Sequence, residues 1–197
     1  MKTDLDSIFG FMALVHRFQA VERTCFVPKL ERKENDAEHS YALAMLAWYL
    51  VEANSLPLDK NKVVKYALIH DWAEIYAGDV AFYASVEAKA NKKNKEAESL
   101  AKLKTELEDW PEFSQFIDGY EKRADEESCF VYALDKLLPM INNYLDSGRT
   151  WKKDHLTLDE VISYKQDKVA LSPQVKRWFD ELVAILREKE GELFGDK

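Results

Sequence analysis

The chain has 197 residues, of which 47% are apolar and 32% charged, with a formal net charge of −8. This composition suits one well-packed domain and excludes disorder, and the acidic balance argues against a nucleic-acid polymer as partner, whose phosphates are met by clustered Lys and Arg. Two cysteines make no disulfide framework, no apolar run reaches membrane-spanning length, and the N-terminus lacks a signal-peptide core, so the expectation is a cytoplasmic protein without membrane association.

Six glycines and five prolines punctuate the sequence and alternating apolar runs are scarce, which predicts an all-α fold. Asp6 or Ser7 can cap a first helix with the apolar stripe Ile8, Phe11, Met12, Val15 and Phe18, ending near Ala20. Residues 22–34 read as a polar, Pro-containing loop holding several cations, and a loop of that length in a compact domain is more often functional than idle. Asn35 or Asp36 caps a second helix, in which His39, Leu43, Leu46 and Leu50 share the inward stripe.

Asp59 starts a third helix that reads as continuous to Gly78. Val63, Ala67, His70 and Glu74 form one row on it and Val64, Leu68, Asp71 and Ile75 the adjoining row. His70, Asp71 and Glu74 therefore share a buried face, with Asp79 just past the helix end. Lys89 to Lys95 reads as a solvated loop or fraying helix end before helical spacing resumes from Glu96 to Leu107. Trp110-Pro111 is a break, and a short segment leads to Gly119.

From about Asp125 another helix places Asp135 inward between Val131 and Leu138, and Pro139 should kink it without ending it. A turn at 146–149, a helix around 158–165 and a last one opened by Ser172-Pro173 complete the chain. No repeat or linker is visible, so residues 1–197 read as a single domain on which C-terminal helices of about 155–190 pack.

Four inward-facing ligand types thus come from three helices: His39, His70, Asp71 and Asp135. One buried histidine is ordinarily a hydrogen-bonded core residue. Two imidazoles and two carboxylates converging in a helical core are costly unless a divalent ion compensates, and the set suits Mn, Fe, Co, Ni, Zn or Mg with positions left for water and substrate.

The order His39 … His70-Asp71 … Asp135, with Asn35-Asp36-Ala37-Glu38-His39-Ser40 around the first ligand, resembles the HD-domain metal-dependent phosphohydrolases. His70-Asp71-Trp72-Ala73-Glu74, then Gly78-Asp79 and Ala133-Leu134-Asp135-Lys136-Leu137, are similar to the bacterial 5′-deoxynucleotidase branch, over about residues 9–144. The resemblance implies a helical bundle around one divalent metal ion held by His39, His70, Asp71 and Asp135. It further implies hydrolysis of (deoxy)ribonucleoside 5′-monophosphates to nucleoside and phosphate. Glu74 and Asp79 match the family's non-ligand acids, which share water activation and proton delivery, and Arg23 matches its phosphate-holding arginine. Arg23, His39, Asp79 and Phe82 would face the substrate, and a homodimer built on aromatic-rich terminal helices is expected.

Two departures bear on selectivity: Thr24 follows the arginine where the branch often has an aromatic, and Val80-Ala81-Phe82 replaces a segment that usually carries Pro and Thr. Hydrolysis of a signalling nucleotide or triphosphate is the alternative within the superfamily. It is disfavoured because Ile75 stands where guanosine-tetraphosphate hydrolases continue with an acidic residue after Glu74. A non-catalytic helical interaction protein is the alternative from another class. His16, His155 and Arg32 read as surface residues, and Trp72 as core or pocket wall.

Overall fold

The computed structural model describes residues 4–79 and 86–195. Phe82, with Val80 and Ala81, lies outside the described residues. The elements run α1 (Asp4–Gln19), β1 (Glu22–Phe26), β2 (Lys33–Asn35), α2 (Asp36–Ala53), α3 (Lys60–Ile69), α4 (Glu74–Ala77) and α5 (Val86–Glu106). They continue with α6 (Pro111–Lys122), α7 (Glu126–Leu145), α8 (Arg149–Lys153), α9 (Leu158–Val169), α10 (Pro173–Glu188) and α11 (Glu190–Phe194). The fold is all-α apart from one small hairpin.

Capping sets the helix starts. Asn35 accepts the Glu38 amide and Glu38 returns a bond to the Asn35 amide, a reciprocal cap that fixes where α2 begins. Asp59 opens α3, Asp125 and Ser128 open α7, and Thr157 and Glu160 open α9. Pro111 and Pro173 occupy first-turn positions, where the missing N–H costs nothing. α7 runs through Pro139 to Leu145.

The larger core gathers Leu43, Val63, Phe130, Leu134, Leu158 and Phe179, and so joins α2, α3, α7, α9 and α10. A second, around Phe18, Ile69, Trp72, Leu103 and Phe113, joins α1, the end of α3, α5 and α6. Trp72 belongs to this second core, packed against Phe11, Phe18 and Phe113.

Several sequence expectations are corrected. Residues 22–35 form an antiparallel hairpin, with Glu22 opposite Asn35 and Phe26 opposite Lys33; strands of five and three residues are too short to show alternation. In α1 the buried positions are Leu14 and Phe18, while Ile8 and Met12 face out. The third helix is not continuous. α3 ends at Ile69, and the next turn is tightened by bonds from the Trp72 amide to the Ile69 carbonyl and from the Glu74 amide to the Asp71 carbonyl. Within α3, Leu68 is 43% exposed and Ile69 takes the buried place. The Lys89–Lys95 tract lies within α5, and α6 continues past Gly119 to Lys122. The turn at 146–149 leads into α8, and α11 follows α10; neither short helix has a distinct sequence pattern.

Gly148 holds φ +73°, and a methyl there would lie 1.8 Å from the Leu193 carbonyl oxygen, so this turn admits only glycine. Gly10, inside α1, has open space around it. Gly148→Ala should therefore lose more than ~2 kcal/mol of stability, and Gly10→Ala should gain up to about 1 kcal/mol. Urea unfolding of both variants checks this; equal midpoints would contradict it.

Candidate active site

Three helices deliver the ligand-type side chains to one point. His39 is in the second turn of α2, His70 caps α3, Asp71 follows in the tight turn, and Asp135 is midway along α7. One ligand-type atom from each of the four lies within 4.8 Å of all the others. The two imidazoles are fully buried as side chains. His39 Nε2 is 2.9 Å from Asp135 Oδ1; His70 Nε2 is 2.9 Å from Asp71 Oδ2 and 3.6 Å from Asp135 Oδ1.

The ring orientations are set from behind. His70 Nδ1 donates to the Ala67 carbonyl at 2.9 Å, which fixes the tautomer and turns the Nε2 lone pair toward the carboxylates when the ring is neutral. His39 Nδ1 faces Glu34 Oε2 at 3.4 Å, close but without a well-formed hydrogen bond. Glu34 comes from β2, so the hairpin backs His39.

Carboxylates crowd the site: Glu34, Asp36, Asp71, Glu74 and Asp135 are all buried or nearly so, and Asp79 stands at the wall. Arg23 from β1 bridges Asp36 Oδ1 at 3.0 Å and Asp71 Oδ2 at 2.8 Å, with Nε 3.4 Å from Glu34. Lys92 from α5 places Nζ 2.6 Å from Glu74 Oε1, and 3.8 Å from Asp79 Oδ1. Lys136 binds Asp135 Oδ2 at 2.5 Å. Three permanent cations do not balance six carboxylates. A divalent ion fits this donor set, because it replaces protons as the missing positive charge, and the buried His70 Nε2 has no well-formed hydrogen bond.

Titration follows from the same crowding. Burial opposes charging His70, but Asp71 and then Asp135 outweigh it and raise the imidazole from 6.5 to about 10. Asp71 and Asp135 resist burial and are held below the usual carboxylate range, Asp71 chiefly by His70 and Asp135 chiefly by Lys136. Burial, and then Asp71, push Glu74 well above its ordinary value against the pull of Lys92. Asp36 rises to about 6 for the same two reasons.

A cavity of about 300 Å³ opens beside these groups, with Arg23, Asp71, Glu74, Asp79, Lys92 and Asp135 in its walls. Asp79 Oδ2 accepts the Thr24 amide at 3.2 Å, which ties the chain past α4 to β1. The sequence-selected residues Arg23, His70, Asp71, Glu74, Asp79 and Asp135 therefore line one cavity, whereas His39 is fully buried behind Asp135 and does not reach the wall, so the expectation that it faces the substrate is corrected. Arg32 does not join them; it grips Glu38 on the surface. His16 and His155 are exposed.

Glu34, Asp36, Lys92 and Lys136 were not selected as site residues from the sequence. Asp36 and Lys136 carried a signal, standing in the motifs around His39 and Asp135. Lys92 was hidden in a lysine-rich tract.

A family model described as an HD domain matches residues 15–176. The chain belongs to the HD-domain family. The human 5′-deoxynucleotidase HDDC2 is 31% identical over 133 residues, which cover 66% of this chain and 63% of that protein. The chain thus spans just under two-thirds of the length of its vertebrate HDDC2 relatives. The 5′-deoxynucleotidase hdd1 of Schizosaccharomyces pombe is 25% identical over 191 residues, 93% of this chain and 91% of its own. The crystal structure of a predicted metal-dependent phosphohydrolase from Magnetospirillum magnetotacticum superposes with a TM-score of 0.81 at 27% identity, covering 98% and 99% of the two chains. In this HD domain the His70-Asp71 pair stands at the end of α3, next to the cavity.

The His70 shift has a measurable consequence. A folded-state value above the unfolded one stabilises the metal-free domain fully below pH ~6.5, and that gain is lost as pH rises through 10. A bound ion must displace the same proton, so its affinity should rise over this window. Calorimetric titration of Mn²⁺ at pH 6 and 8, in buffers of different ionisation enthalpy, should show tighter binding at pH 8 with about one proton released. Binding without proton release would contradict this arrangement.

Proposed function

We propose that this HD-domain protein is a metal-dependent phosphomonoesterase acting on nucleoside 5′-monophosphates, deoxyribonucleotides included. The observation that carries the reading is the convergence of His39, His70, Asp71 and Asp135 beside a cavity that also holds Arg23 and the non-ligand acids Glu74 and Asp79. The 5′-deoxynucleotidase names of the relatives support it.

His39, His70, Asp71 and Asp135 would hold one divalent ion, Mn, Co, Fe, Ni, Zn or Mg. When bound, that ion supplies Lewis-acid polarisation of a phosphoryl oxygen and lowers the pKa of water. Arg23 holds the phosphate: its guanidinium lies at the cavity wall and is always charged. Glu74 manages the proton. Its Oε2 is buried without a partner while Lys92 fixes Oε1, so the free oxygen is positioned to take a proton from the attacking water. Water oxygen bonds to phosphorus as the phosphorus–O5′ bond breaks, and the proton is returned to the departing 5′-oxygen. A carboxylate raised toward neutrality is suited to both halves of that transfer. Asp79, held by the Thr24 amide, lines the cavity as a substrate contact and assists Glu74. Lys92 is a positioning residue for Glu74.

Phosphate release from a panel of nucleoside mono-, di- and triphosphates, with metal-stripped protein and added Mn, Co, Mg or Zn, tests the reading. Monophosphates should be hydrolysed only with metal. Asp71→Ala should abolish turnover, and Glu74→Gln should lower kcat about 10²–10⁴-fold. No release from any substrate with any metal would refute the function, whereas preferred release from triphosphates or signalling nucleotides would favour the alternative chemistry.

We also propose a cytoplasmic homodimer. Cys25 and Cys129 are both free thiols. The neighbouring helices α1 and α2 leave Leu5, Ile8, Phe9, Tyr41, Trp48 and Tyr49 about half or more exposed, a larger apolar display than a monomer usually keeps. A second copy covering this face is the occupant that gives closed, self-complementary burial. Sedimentation should report a dimer that Trp48→Glu with Tyr49→Lys converts to a folded monomer. A monomeric wild-type protein would exclude it.

A further inference from the structure

The cavity continues past the phosphate end along one face of α7. Asp135, Pro139 and Asn143 recur every four residues on that helix, and all three line the cavity. At 1.5 Å per residue, Asn143 stands ~12 Å along the axis from Asp135. That separation is comparable to a mononucleotide laid out from its phosphate to the far edge of its base. The far end is walled by the buried apolar side chains of Met140, Trp151 and Leu156. Trp151 is held flat by Phe194, with centroids 4.4 Å apart and planes within 10°. Thr150, next to Trp151, and Asn143 are buried polar residues in the same lining, and apolar walls around a few polar groups are the usual composition of a base pocket.

The polar group with an unpartnered buried acceptor is the Asn143 amide, only 6% exposed as a residue. Its Nδ2 donates to the Pro139 carbonyl at 2.9 Å. A carbonyl cannot donate, so this contact fixes which end of the amide is which. Oδ1 is left buried without a partner, as an acceptor only. Lys165, whose amine burial and then Lys136 push down to about 7, donates to the Lys136 carbonyl, nearer the phosphate end.

We propose that Asn143 reads the base: Oδ1 accepts the exocyclic amino group of adenine or cytosine. Bases carrying a keto oxygen in that place would set two acceptors against each other. This deepens the nucleotide phosphatase reading and rests on it. It also assigns base selectivity to α7.

Two matched pairs isolate the contact, because dAMP and dIMP, like dCMP and dUMP, differ at the amino or keto position. With Mn²⁺-loaded protein, kcat/KM should favour dAMP and dCMP by roughly tenfold, the worth of one neutral hydrogen bond near the upper end of its range. Asn143→Ala should bring both ratios to near one, with circular dichroism and a cooperative melt verifying that it folds. Deoxyribose 5-phosphate, which has no base, should not distinguish the variant from wild type by more than the variant's loss on dIMP. Parity or a keto preference in the wild-type protein would overturn the proposal without any variant. Ratios unchanged in Asn143→Ala would overturn it as well. Brisk hydrolysis with parity removes this inference alone, whereas no hydrolysis of any nucleotide removes the phosphatase reading and this inference together.

Discussion

Negative charge packed into a low-dielectric interior is the constraint on which this molecule depends. Asp71, Asp135, Glu74, Asp36 and Glu34 occupy positions a helical core would normally fill with leucine or valine. Such a cluster persists only if each charge is paired or neutralised. Arg23, Lys92 and Lys136 supply part of the compensation, a proton on His70 supplies more in the metal-free protein, and a divalent ion would fit as the remaining counter-charge. The two hydrophobic cores frame the cluster: one fixes α2, α3 and α7, and the other fixes the turn after α3. Stability is therefore spent at the centre and recovered around it.

Much of this was legible in the chain, because amphipathic helices state which way their residues face. His39 shares the inward face of α2 with Leu43, and Asp135 shares that of α7 with Val131 and Leu138, so both were readable from spacing alone. The caps at Asn35, Asp59 and Asp125 were equally readable, since they are local chemistry. The phase reading failed at Leu68 within α3 itself, because the helix buries Val63, Tyr66, Ala67 and His70 and the adjoining row of Val64 and Leu68 is only the flank of that face. His70, Asp71 and Glu74 still reach the cavity, because the tightened turn keeps helix-like backbone at His70 and Ala73.

What could not be read was long-range pairing. Arg23 and Glu34 meet only because a short hairpin folds back on itself, and neither strand is long enough to declare a period. Lys92 stands beside Lys93 and Lys95, which face water, and nothing local marks it as the one that turns in. Asn143 is similarly silent, since its meaning depends on a proline carbonyl one turn earlier and on the walls contributed by α8 and the segment after it. Tertiary context selects such residues from a background of equivalents.

The hairpin has a consequence for how this chain tolerates change in length. Side chains on a strand alternate between faces, so a one-residue slip in pairing carries every side chain to the opposite side. Here a slip would withdraw the Arg23 guanidinium from Asp36 and Asp71 and the Glu34 carboxylate from behind His39 in a single step. The connecting residues 27–32 are tied down as well, since the Lys29 amide donates to Asp146 and Arg149 donates to the Val27 and Leu30 carbonyls, so a change of length there also pulls on the hairpin. Registration of a few backbone hydrogen bonds at the periphery is thus as much a condition of chemistry as the ligands themselves.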